Sequence, residues 1–149
     1  MGLHSLQKAF ELIEEYGGDF DGLKAESLIE KAEEALSIKF PPTFRQFLST
    51  YGCGDIEGLE FYGLTNDNFI SSSVPNAIWL NLTLRKSGLP NNLILVYSTG
   101  DGNYIALNTS VVDENCENPV VLVTPNGDIL ENVSSDYGDF LFTELQTVI

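Results

Sequence analysis

Four short stretches of this sequence combine residue types that chemistry uses. Gly52-Cys53-Gly54-Asp55 sets a thiol between two glycines and beside a carboxylate, which suits an anion cradle or an activated nucleophile. Gly100-Asp101-Gly102 suggests a calcium or phosphate loop, Asp19-Phe20-Asp21-Gly22 places two carboxylates at strand spacing, and Ser71-Ser72-Ser73 offers hydroxyls. Each lacks the companions its chemistry needs. A calcium loop requires oxygen ligands at alternating positions and a distal Glu, and a phosphate loop requires a following helix that opens with Lys-Ser/Thr. His4 is the sole histidine, far in sequence from every serine and cysteine named, and Cys53 and Cys116 have no metal-ligand spacing. A thiol that follows a helix faces the negative end of the helix dipole, which disfavours thiolate. The expected roles are therefore structural: glycines that end a helix at 52–54, a β-turn at 100–102, an acidic loop at 19–22 and a cap at Ser73. No cofactor and no metal is expected.

The elements that would position any site must come from one chain of 149 residues, most simply a single domain over 1–149, with a helix and loop at 1–26 ahead of the rest. That length buries about 68–70% of the unfolded surface without a metal or disulfide. No apolar run approaches the length of a membrane span, and Met1 to His4 lead directly into an amphipathic pattern, so a cytoplasmic protein is expected. The formal charge is −15, and it is uneven: residues 51–149 hold 13 acids against only Arg85 and Lys86. Such a field repels nucleic acid and anionic membrane and attracts basic proteins.

Leu6, Phe10 and Ile13 recur at helical spacing before Gly17-Gly18, and the stretch 17–26 reads as loop. Ser27 with Glu30 forms a capping-box pattern ahead of a second helix over about 28–37. Pro42 opens a third, whose Phe44, Phe47, Leu48 and Tyr51 fall at i, i+3, i+4 and i+7 until Gly52. The stretch 58–64 then alternates as a half-solvated strand, and Ser73 is expected to cap a helix carrying Ile78, Trp79 and Leu82, with Trp79 in the core. Strands at 93–98 and 104–108 flank a Gly-rich turn, Asn126-Gly127 joins two more as a hairpin, and Asp136 caps a last helix with Phe140 and Leu141. Helices followed by successive antiparallel strands indicate an α+β fold.

Together, Ile29, Glu33, Leu36, Phe40, Pro41, Phe44, Phe47, Leu48, Tyr51, Gly52 and Gly54 form a Glu-rich helix, a Phe-Pro step, a Phe-Leu pair and a Tyr-Gly-x-Gly end. This resembles the opening of the SUKH superfamily, and LPNNLILVYSTGDGNYIALN, NPVVLVT and the terminal Phe140-Leu141 helix extend the likeness across about residues 27–147. The resemblance implies a largely antiparallel β-sheet with helices packed on it. It also implies an immunity-type role: many bacterial members bind and silence a polymorphic toxin encoded beside them. Fungal relatives act in cell-wall signalling, which implies a regulatory scaffold as the alternative. A chain of this length suits the single-domain bacterial kind.

With the −15 field, the first reading makes the partner a toxin with a basic nuclease domain, occluded by a protein that is monomeric when free and is not an enzyme. The expected contact residues are Asp55, Glu57, Glu60, Tyr62, Asp67, Asp101 and Tyr104, whose carboxylates would stand in for substrate phosphates. Tyr62 and Tyr104, on half-exposed strands, read equally as interface anchors or as cross-strand packing. Asp113, Glu114 and Glu117 form an alternative outer patch. A hydrolase using paired carboxylates is the weakest reading, because these acids have no basic or metal companion.

Overall fold

A computed structural model describes residues 2–149. Its elements run α1 (Gly2–Tyr16), β1 (Asp19–Phe20), α2 (Glu26–Leu36), α3 (Pro42–Tyr51), β2 (Gly54–Ile56), β3 (Leu59–Phe61), α4 (Ala77–Arg85), β4 (Leu93–Ser98), β5 (Tyr104–Asn108), β6 (Val120–Val123), β7 (Ile129–Ser134) and α5 (Tyr137–Gln146). The seven strands form one sheet in chain order, every pair antiparallel. The α+β architecture is the one expected.

In α1, Leu6, Ala9 and Ile13 make the buried stripe, and α5 packs against it. In α3, Phe44, Phe47, Leu48 and Tyr51 are all buried, as their spacing predicts, and the helix stops at Gly52 in a positive-φ conformation. Gly63 lies so close to the Gly52 carbonyl that a Cβ there would overlap it, and Leu64 N–H donates to that same oxygen at 2.9 Å. The glycines at this corner thus serve chain packing.

Two helix starts differ from expectation. The Ser27 capping box does not form: α2 begins at Glu26, and the backbone N–H groups of Leu28 and Ile29 both donate to the Ala25 carbonyl. Ser73 does not cap α4 either. Asn76 does, its Oδ1 accepting from the N–H of Ile78 at 3.0 Å and of Trp79 at 3.1 Å. The reason is tertiary: Asn76 is fully buried beside Gly63, with Ala77 N–H donating to the Gly63 carbonyl. The expected cap at Asp136 does form, accepting from Asp139 N–H at 2.9 Å.

The sheet separates two apolar clusters, and strand alternation explains the division. Ile94 and Val96 face the larger core of α1, α2, α3 and α5, whereas Leu93 and Leu95 face a smaller one with Tyr62, Ala77, Leu80, Ala106, Val121 and Val123. Trp79 is half-buried against the smaller core. The central strands β4 to β6 are covered on both faces. The stretch 17–26, read as loop, contributes β1, which with β2 and β3 forms a more exposed end of the sheet.

Candidate protein-binding face

Register brings acids together at that exposed end. Asp19 of β1 is the partner of Asp55 of β2, and Asp55 is the partner of Glu60 of β3. Directly opposed residues share a face, so the three carboxylates form a row across three strands. All three are exposed, and none joins an ion pair among the described residues. The row then turns aromatic. Phe61 pairs with Tyr97, which aligns Glu60 toward Ser98, and Ser98 pairs with Tyr104.

Tyr62 lies beside this row but is not half-exposed as the strand reading held: it retains 6% of its surface and packs in the smaller core. The strand ends at Phe61, and the chain turns inward there to reach α4. Burial first, then the charge of Glu60 and the neighbouring Tyr104, push the Tyr62 phenol above its ordinary value, while a hydrogen bond with Ser98 acts the other way. Tyr104 is half-buried on the same side.

The remaining expected contact residues are dispersed. Glu57 and Gly58 both take positive φ, as a two-residue hairpin turn demands, so Glu57 sits at the tip between β2 and β3. Asp101 organises the β4–β5 turn: its Oδ1 accepts from the Thr99 hydroxyl and from Asn103 N–H, which holds its carboxyl below the usual range. Asp67 belongs to a separate loop and faces Lys31 at 3.6 Å, an exposed pair of little energetic weight. Asp19 was not among the expected contacts. Only the β1–β2 register, which local sequence does not reveal, places it in the row.

Other candidates resolve as structure. Cys53 is buried, and its thiol is pushed up to about 11, first by burial and then by the charge of Asp21, so it is protonated at neutral pH. Asp21 pairs with Lys24. Among the described residues no group of three or more His, Cys, Asp or Glu could hold a metal ion.

The outer patch needs correction. Asp113 and Glu114 are exposed, but Glu117 retains only 4% of its surface. Its Oε2 accepts from Thr43 N–H at 2.9 Å and its Oε1 from the Thr43 hydroxyl at 2.8 Å. Thr43 Oγ1 in turn accepts from Gly138 N–H at 3.2 Å. Pro41 and Pro42 leave α3 without a side-chain cap of its own, so a carboxylate 74 residues away supplies one.

Glu117 and Asp136 border one cavity of about 270 Å³, and burial raises both carboxyls above their ordinary values. A raised folded-state pKa means the native protein holds protons that the unfolded chain has released, so stability falls as pH rises through that window. Melting temperature is therefore expected to increase as pH is lowered from neutral toward the ordinary carboxylate range. Relief of self-repulsion at −15 adds in the same direction. Glu117→Gln should flatten part of the rise. A profile that falls on mild acidification would contradict the assignment.

An antiparallel seven-strand meander, with α1, α3 and α5 against one face and a carboxylate row at its β1–β3 end, defines the class: an α+β protein built on a single sheet. The model of the SMI1-KNR4 cell-wall family, SUKH_6, matches residues 26–141, from the first residue of α2 into α5. The chain belongs to this family, within the SUKH superfamily. It is also similar to a protein from Pseudomonas syringae pv. tomato known from its crystal structure, at 20% identity over 90% of this chain and 93% of that one, with a TM-score of 0.68. That likeness speaks to the fold alone. No curated protein matches the chain. Among the described residues no helix is long and apolar enough to cross a membrane.

Proposed function

We propose that the protein is an immunity-type binding protein that silences a cognate toxin with a basic nuclease domain, by covering the toxin's substrate-binding side. One observation carries the reading: three exposed carboxylates opposed across β1, β2 and β3 that join no ion pair among the described residues. Like charges directly opposite weaken a sheet, and a cationic partner would turn that cost into attraction. Asp19, Asp55 and Glu60 form the centre of the contact, with Tyr104 as anchor and Tyr62 supporting it from beneath. Glu57 and Asp101 extend it at the turns, and Asp67 lies at its margin. The protein acts by occlusion in the cytoplasm, without catalysis or cofactor. The family's cell-wall description favours a second reading, a regulatory scaffold with no toxin partner. A neighbouring gene for a secreted protein with a nuclease-like end separates the two.

Stopped-flow association with that nuclease domain tests the proposal. Changing Asp19, Asp55 and Glu60 to their amides should slow kon about tenfold or more at low salt, and raising salt should do the same to the parent. Asp113→Asn with Glu114→Gln should matter much less. Tyr104→Ala should instead raise koff, about thirtyfold for an anchor of about 2 kcal/mol. Equal slowing by both amide sets would mean that net charge alone steers, and the face would be wrongly assigned.

A further inference from the structure

The two edges of the sheet are unequal. β1 is two residues long, whereas β7 is six, and five of those six are exposed, with no strand beyond them among the described residues. Ile129, Leu130 and Val133 keep 49%, 54% and 40% of their surface. A long apolar edge presents unpaired backbone N–H and C=O groups that another extended strand satisfies. Charge is scarce here: of 22 acids only Asp128 and Glu131 fall between Asn118 and Ser135, and no base does.

We infer that β7 is a self-association edge, pairing with β7 of a second copy about a two-fold axis, in place of the monomer expected from the sequence. Direction permits a second copy, and charge selects it. A two-fold axis brings the second β7 in antiparallel, the direction of every other pair in this sheet. A basic segment would be drawn to the carboxylate row at the far end of the sheet, not to a strip with two acids. Two bodies of −15 also approach with least repulsion where local charge is lowest. The contact is small. Six residues a side fall well short of the roughly 20–30 of a standard interface, so the dissociation constant should be on the order of 100 µM.

Salt should tighten this dimer by screening the repulsion between copies, opposite in sign to its effect on a basic partner. Failure of the immunity reading therefore leaves this one standing, and the converse holds. Sedimentation equilibrium of the full chain over about 10 µM to about 1 mM, at about 50 and 500 mM salt, reads it directly. Reducing buffer prevents cross-linking through the exposed Cys116. The expected result is a concentration-dependent dimer that strengthens with salt. Val133→Lys and Leu130→Lys, each at an exposed position and checked by its melting curve, should leave monomer only. Glu131→Gln, which removes the one charge inside β7, should lower the dissociation constant at low salt about threefold. A monomer throughout, or a dimer that survives both lysine variants, overturns the assignment.

Discussion

Phe47→Ala is expected to lose about 3–5 kcal/mol of folding stability, the range for a large aromatic removed from a packed core. No part of Phe47 is exposed. Its ring centroid lies 5.5 Å from that of Tyr137, 6.3 Å from Tyr51, 6.4 Å from both Phe20 and Phe44, and 6.5 Å from Phe61. These neighbours come from α5, α3, β1 and β3, so the side chain is where helices and sheet meet. Collapse around the void would require several elements to move at once, which keeps the cost at the high end. Against a typical total of about 5–15 kcal/mol, the variant approaches marginal stability. Denaturant titration should show a lower midpoint with an unchanged slope. A variant as stable as the parent would mean that α3 presents another face to the core.

The α3 segment was legible because its span is marked locally: a proline at the first position, apolar residues at helical spacing and a glycine at the end. The starts of α2 and α4 were not. Ser27 and Ser73 are suitable cap types, yet the α4 cap went to Asn76, whose position is fixed by a backbone bridge to Gly63 across an irregular loop, which no periodicity reveals. β1 and β2, with two and three residues, are too short for alternation to register. The same limit governs the candidate face. Asp55, Glu60 and Tyr104 were found because they lie in or beside recognisable strands, and Asp19 was missed because a row across strands is a property of register. Glu117 shows the opposite failure. Acid in a loop reads as solvated surface, and only the prolines opening α3 hinted that a cap must come from elsewhere.

Asn81→Leu should cost about 3 kcal/mol, although it exchanges side chains of similar size and adds an apolar one. The reason lies in a gap in the sheet. β3 pairs with β4 only at Phe61 and Tyr97, and after the bond from Tyr62 N–H to the Val96 carbonyl the chain departs toward α4. Leu95 would then face an empty edge. The Asn81 amide fills it as a strand would: its Oδ1 accepts from Leu95 N–H at 2.8 Å, and its Nδ2 donates to the Leu95 carbonyl at 3.0 Å and to the Ala77 carbonyl at 2.7 Å. Asn81 and Leu95 are both fully buried, so no water reaches these groups once the amide is gone. Each orphaned backbone group costs about 1–3 kcal/mol, more than the gain from one added apolar side chain. Asn81→Asp separates the two halves of the interaction. A carboxylate keeps the acceptor for Leu95 N–H but meets the Leu95 carbonyl with a second acceptor, and it is driven toward its protonated form. Its folded-state pKa is then raised, so the stability it lacks at neutral pH should return as pH falls. Asn81→Leu should recover no more on acidification than the parent does. Amide exchange at Leu95 should accelerate in the leucine variant relative to Ala106 opposite it on β5. If Asn81→Leu instead matches the parent in stability, the amide is not standing in for the missing strand, and α4 is held against β4 by apolar packing alone.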